Sequence, residues 1–302
     1  MRVSNWKKPR NRYAANATLL LLTSGMLLTG ALTAQAQSST PLAETPACSG
    51  PGAKVALECR TWTEIDAALK QGMHTVILPV GGTEQSGPYM AVGKHNRRAE
   101  LLADRIAETL DSQGIATLVA PVIRYVPEGG TSPRTSHMRF AGTLSIPPEV
   151  FVRLVEGAAE SLKAQGFTTI VLLGDHGGTQ GALAQAAQAL NRRWRGTRAR
   201  VLYVPGYYRV IPGAYADWLK RQGHGAEVGL HAELSDTSLM LAADPSLVRQ
   251  QALAAAPQKP GTAQGVYGGD PRHATAALGQ PGLEMQVSEA VQAITAFERA
   301  AP

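Results

Sequence analysis

Ile77-Leu-Pro-Val-Gly-Gly-Thr-Glu84-Gln-Ser86-Gly-Pro-Tyr-Met-Ala-Val-Gly-Lys-His95-Asn96 carries the decisive reading of this chain. An apolar run, Thr75 to Val80, ends in two glycines; Glu84 follows at once and His95 comes eleven residues later. A short run that is apolar throughout, rather than at alternate positions, is the pattern of a strand buried on both faces. A second such run, Thr168 to Leu173, ends in Gly174-Asp-His176-Gly-Gly178. Two strand ends that each carry a metal-capable side chain point to a metal site at the edge of a parallel sheet.

Outward from this pair, strands alternate with helices. Helical spacing covers Trp62–Gln71 (Trp62, Ile65, Leu69), Arg97–Gln113 (Leu101, Leu102, Ile106, Leu110), Pro147–Gln165 and Gln180–Arg195, and glycines at 72, 114 and 166 close the first three. Further strands are predicted at Ala116–Val122 and Arg200–Val204. Tyr207–Gly225 is mixed, Thr237–Ala243 reads as helix after a Ser/Asp/Thr cap region, Gln258–Gly282 is Gly/Pro-rich, and Leu283–Ala300 is a closing helix. Pro127–Met138 is a Gly/Pro/Ser loop of the length used for functional lids. The alternation implies an α/β fold with a mostly parallel sheet covered on both faces.

The first 36 residues have the plan of a secretion leader. Lys7, Lys8, Arg10 and Arg12 precede an apolar stretch from Thr18 to Ala31, and Ala34-Gln-Ala36 fits a small-x-small cleavage site. The expected organisation is therefore a leader over 1–36, an arm over 37–58, and one catalytic domain over 59–302. The product is expected to be exported, to the bacterial periplasm, and free of the membrane after cleavage. Of the 29 Lys and Arg, five lie in the leader, so the mature chain sets 24 basic against 23 acidic residues. The formal charge of +6 thus belongs almost wholly to the leader and implies no nucleic-acid partner. Cys48 and Cys59 are the only cysteines, and in an exported chain they suggest one disulfide.

Four of the seven histidines, His95, His137, His176 and His231, fall in Gly-rich or polar segments rather than in apolar periodic runs, and so does Glu84. A glutamate with two histidines is a familiar three-ligand set that leaves a position open for water. No nucleotide-binding Gly fingerprint or Walker lysine follows a strand, and the Gly-x-Ser-x-Gly elbow is absent. Ser86 beside Glu84 reads as a turn residue, with a serine nucleophile as the minor alternative.

Taken together, Leu78-Pro-Val-Gly-Gly-Thr-Glu84-Gln-Ser-Gly-Pro88, Gly142-Thr-Leu-Ser145, Leu172-Leu-Gly-Asp-His176-Gly-Gly, His231-Ala with Asp236-Thr-Ser-Leu-Met-Leu241, and Gly265-Val-Tyr-Gly-Gly-Asp-Pro-Arg-His-Ala-Thr275 resemble the creatininase (creatinine amidohydrolase) family, in the family's order over roughly residues 60 to 300. The resemblance implies a three-layer α/β/α fold, homo-oligomers, and metal-dependent hydrolysis of non-peptide or unusual C–N bonds in small-molecule amides. It also exposes departures. Glu84 matches the family's glutamate and His176 its later histidine. Ser86 stands where a histidine ligand is expected, His95 where an aspartate bridges two metals, and Gly178 where creatininase proper has an acidic ligand.

The expectation is accordingly one divalent metal per chain, zinc before manganese or iron, held by Glu84, His95 and His176. Metal-activated hydroxide would attack an amide or cyclic amide carbonyl. His231, with Glu233 as a second candidate, would handle protons, and Asp175 and Asp236 would orient these groups. The alternative is a binding protein that kept the fold without turnover. Creatinine itself is not the expected substrate.

Overall fold

The computed structural model describes residues 48–50 and 52–300; the expected leader and most of the arm lie outside the described residues. Helix α1 (Trp62–Lys70) leads to strand β1 (Thr75–Val80), followed by α2 (Lys94–Ser112), β2 (Thr117–Val119), α3 (Pro148–Gln165), β3 (Thr169–Gly174), α4 (Gln180–Arg193) and β4 (Arg200–Tyr203). Then come α5 (Pro205–Arg209), α6 (Ala216–Leu219), β5 (Gly229–His231), α7 (Leu234–Ala243), α8 (Gln250–Ala254), β6 (Tyr267–Gly268) and α9 (Ala276–Arg299). The four-stranded sheet has the order β2-β1-β3-β4 and every pairing is parallel. β5 and β6 form a separate antiparallel pair.

Strand residues alternate between two cores. Ile77, Val171 and Leu173 pack with Leu102, Ile106 and Leu110 of α2 and Leu283, Ala290 and Ile294 of α9. Val76, Leu78, Val80, Ile170 and Leu172 pack on the other face with Phe151 and Val155 of α3 and Leu183 and Leu190 of α4. The molecule is thus the expected three-layer α/β/α sandwich. Burial on both faces explains why β1 and β3 show no polar alternation. β1 runs in register with β3 from Thr75↔Thr169 to Val80↔Gly174, which sets the segments carrying Glu84 and His176 side by side at the carboxyl edge.

Among the element boundaries that differ from the sequence expectation, three have a clear physical cause. α2 begins at Lys94, not Arg97, so Lys94 and His95 lie in its first turn rather than in a loop. Three cations in a first turn oppose the helix dipole, which hides the true start. Here they are met individually, Lys94 by Asp236 at 2.5 Å, Arg97 by Asp244 at 2.9 Å and Arg98 by Asp175 at 2.9 Å. β2 stops at Val119; Ala120 still donates to Ile77 O at 2.8 Å, and Pro121 has no N–H to continue the ladder. α9 starts seven residues early and runs through Pro281. Its first turns lie against α7, where a Cβ on Gly279 would stand 1.9 Å from the Ser238 carbonyl oxygen. Close helix contact outweighs the hydrogen bond lost at the proline.

Cys48 and Cys59 form the expected disulfide, with Cα atoms 5.2 Å apart. Within the loop it closes, the chain crosses α2, where Gly52 N donates to Glu108 Oε1 at 3.2 Å. Burial, then Glu100 and Glu108, push Asp104 up to about 7. The folded protein keeps this proton to near pH 7, whereas the unfolded chain releases it near pH 4. Its contribution is therefore most favourable below pH 4 and is lost as pH rises to 7. Asp104→Asn should stabilise the protein by on the order of 1 kcal/mol at pH 8, allowing for solvent screening, and by nothing at pH 3.5. Urea melts at the two pH values check this.

Candidate metal centre

Gly81 and Gly82 bring the chain leaving β1 directly onto α2. A Cβ on Gly81 would lie 2.7 Å from the Asn96 Cα, and Gly82 N donates to Asn96 Oδ1 at 3.0 Å. This approach delivers Glu84, fully buried, to the first turn of α2. Its Oε1 lies 2.8 Å from His95 Nε2 and 3.6 Å from Lys94 Nζ. Its Oε2 lies 3.2 Å from His176 Nε2 and 3.4 Å from His137 Nδ1, with no hydrogen bond to satisfy it. Burial would raise Glu84; the facing His176 and His95 imidazoles and the charge of Lys94 overcome it and hold the carboxyl well below its ordinary value.

Asp175, at the end of β3, fixes His95. His95 Nδ1–H donates to Asp175 Oδ2 at 2.7 Å, which points Nε2 at Glu84. Asp175 is fixed in turn by the Arg98 guanidinium (3.0 Å to each oxygen) and by the Tyr207 hydroxyl at 2.8 Å. This carboxylate–imidazole pair is the usual support of a metal-binding histidine. Burial and Lys94 push His95 down, Asp175 and Glu84 outweigh them, and the imidazole ends above its ordinary value. A metal replacing the Nε2 proton would use an imidazole already aimed.

His231 stands on β5 at the far side of Glu84, with Nδ1 3.6 Å from Glu84 Oε1. Its Nε2 lies 2.9 Å from the Gln85 backbone carbonyl, which accepts, and 3.1 Å from the Gln85 amide nitrogen, which donates, so Nε2 has a partner in either tautomer while Nδ1 faces Glu84. Burial and then Lys94 push His231 down to about 3, so the ring is neutral. Asp236, held below its ordinary value by Lys94 and Arg98 against burial, accepts from Ala232 N at 2.9 Å and fixes the turn after His231. Glu233 lines the same cleft but is the cap of α7, accepting from Ser235 N at 2.8 Å and from the Ser235 hydroxyl. Ser86 turns its hydroxyl to the Glu84 backbone carbonyl at 3.3 Å, away from the site.

Among the described residues, two groups present ligand-capable atoms within 4.8 Å of one another: Glu84 with His95 and His176, and Glu84 with His137 and His231. In the second, His137 Nδ1 is also the atom that faces the Gln85 amide nitrogen at 3.0 Å. The cleft above them has a volume of about 720 Å³ and is lined on its outer side by Tyr208, Ile211, Val228, Leu230 and Tyr267.

Sequence reasoning did not single out Lys94, Arg98 or Glu128. Glu128, in the loop leaving β2, is buried beside His176, with Oε2 3.4 Å from His176 Nε2. Burial and then Glu84 push it up to about 9. Its signal was a carboxylate set between Pro127 and Gly129-Gly130 in a loop already read as functional. Nothing in sequence marks a lysine such as Lys94 as buried.

A family model described as creatininase, creatinine amidohydrolase, matches residues 58–294. The chain belongs to the creatininase family. Among curated relatives, the mycofactocin precursor peptide peptidase of Mycobacterium tuberculosis H37Rv is 27% identical over 73% of this chain and 84% of its own length. Creatinine amidohydrolase of Pseudomonas putida is 27% identical over 62% of this creatininase-family chain and 71% of its own. A solved manganese creatininase superposes with a TM-score of 0.65 at 23% identity, over 82% of this chain and 99% of that one; a creatininase described as Zn-Zn type gives 0.64 at 24% over the same shares. The creatininase fold is thereby shown, and the Glu and His groups at its carboxyl edge are of a kind that could hold a metal.

Proposed function

We propose that this protein is an exported, homo-oligomeric, metal-dependent hydrolase that cleaves an amide or cyclic amide C–N bond and uses one divalent metal, zinc before manganese or iron, per chain. The observation that carries the reading is the buried Glu84 Oε2, which has no hydrogen bond yet faces two imidazoles. A buried carboxylate oxygen without a partner is costly unless a cation occupies that side, so the residues fit a metal. Glu84, His95 and His176 would hold it, and it would supply Lewis acidity toward a water and a carbonyl.

The chain's own groups account for the rest. Glu84 supplies fixed negative charge, and the Asp175–Arg98–Tyr207 assembly keeps His95 in one orientation. His231, neutral and with Nδ1 turned toward Glu84, accepts the proton released as water attacks and returns it to the leaving nitrogen. Glu233, committed to the α7 cap, is a positioning residue for that turn. Lys94 supports the single-metal reading. Its ammonium lies against Glu84 Oε1, where a second cation sharing that carboxylate would meet like charge. Ser86, turned to the backbone, and Gly178, whose added Cβ would stand 2.8 Å from His176 Cε1, offer no further ligand. The leader pattern and the disulfide support export. Peptide amides fall within the substrate class because the curated relatives include a precursor peptide peptidase.

His231→Gln should lower kcat by about 10²–10⁴-fold while metal content stays at the wild-type level. The test is zinc-loaded protein against a panel of creatinine, cyclic amides and short peptides, with and without chelator. Chelator-sensitive hydrolysis supports the proposal; no turnover of any member favours a binding protein on this fold.

A further inference from the structure

The buried polar cluster does not balance its charges. Lys94 and Arg98 are the two fixed cations, and Glu84, Glu128, Asp175 and Asp236 are four carboxylates buried around them; Glu233, buried in the same cleft, is met separately by the Ser235 N–H and hydroxyl. Asp236 is taken by Lys94 and Asp175 by Arg98, which leaves Glu84 and Glu128 as a surplus of two potential negative charges. Both oxygens of Glu128 are buried without a hydrogen-bond partner, as is Glu84 Oε2. These orphan atoms converge on one nitrogen, since His176 Nε2 lies 3.2 Å from Glu84 Oε2 and 3.4 Å from Glu128 Oε2. Donor atoms bound to zinc at about 2.0–2.2 Å in a tetrahedral array stand about 3.3–3.6 Å apart; the 3.4 Å separation falls in that range and the 3.2 Å separation just below it.

We infer that Glu128 is a fourth protein ligand of the metal, reaching the site from the loop after β2. The inference rests on the metal reading above and deepens it. Two carboxylates and two neutral imidazoles compensate a divalent cation, and the balance among Lys94, Arg98 and these four carboxylates then closes without forcing Glu84 or Glu128 to keep a proton. Glycine at residue 178 leaves His176 its place beside Glu128. A side chain there would press on His176, and the Pro127 carbonyl passes 3.8 Å from where its Cβ would lie. Gly82 lets Glu128 in from the other side, where a Cβ would stand 3.0 Å from Glu128 Oε1. The loop that carries Glu128 also carries His137, so metal occupancy would pin the loop over the cleft.

The experiment measures zinc stoichiometry and chelator-competition affinity for wild type, Glu128→Gln and Glu128→Asp, with thermal melts of each in metal-free and loaded form. Wild type should bind one equivalent. Losing a group that only supports a ligand costs about 10–100-fold in affinity, so Glu128→Gln should cost at least about 100-fold, and Glu128→Asp should recover part of it. Metal-free Glu128→Gln should melt at or above metal-free wild type, because one of two facing carboxylates is gone, yet gain little on adding zinc. Glu128→Gln binding zinc within threefold of wild type overturns the fourth-ligand assignment alone. Wild type binding no zinc overturns the underlying metal reading and this inference with it.

Discussion

Glu84→Gln is expected to leave a folded protein with less than about a tenth of an equivalent of zinc and hydrolysis reduced by on the order of 10³-fold or more. Glutamine keeps the shape of the side chain, and its carbonyl can still accept from His95. The charge that holds His95 and His176 around one point disappears. Lys94 keeps Asp236 as its partner at 2.5 Å, so the metal-free variant should not collapse. The separation of effects is the informative part: metal and turnover fall together while the metal-free melting temperature moves by only a few degrees. Metal analysis and a metal-free thermal melt on the same preparation check it. A variant that keeps its zinc would remove Glu84 from the centre of the site.

Asp175→Asn should act through both the fold and the site. Asp175 is buried and joins Arg98, His95 and Tyr207 at 2.7–3.0 Å. Arg98 to one side of it faces Asp236 only at 3.7 Å, so neutralising Asp175 leaves a buried guanidinium without its main partner. Breaking a buried pair from one side costs about 3–5 kcal/mol. The amide also no longer fixes which His95 nitrogen carries hydrogen, and loss of such a supporting carboxylate lowers metal affinity about 10–100-fold. Urea unfolding of metal-free protein measures the first effect and chelator competition the second. Asp175→Asn with wild-type stability would mean that the Arg98–Asp175 pair does not anchor α2 to β3.

The strands and the sandwich were legible because β1 and β3 are buried on both faces and carry their residues without polar interruption. Glu84 and His176 were legible because each follows such a strand within a few residues, at the edge where parallel sheets present side chains. His95 was legible as a candidate but was placed in a loop, since Lys94, Arg97 and Arg98 make a poor first turn until their carboxylate partners are seen. The start of α9 was hidden for a similar reason: Pro281 reads as a stop, and only contact with α7 makes the earlier turns worth forming. Glu128 and Lys94 were not singled out at all. Their roles arise from charge balance in a buried cluster assembled from α2, α7 and the segments that follow β1, β2 and β3, and no local pattern records that sum. The same holds for Glu233, whose spacing from His231 suggested proton transfer and whose oxygens cap α7 in the structure.

The central claim is a single metal on Glu84, His95 and His176, and counting metal per chain tests it most directly. The mature protein, stripped and reconstituted with zinc, then freed of excess, should contain one equivalent by elemental analysis, and Glu84→Gln beside it should contain less than about a tenth. Two equivalents in the wild type, or none, would contradict the account.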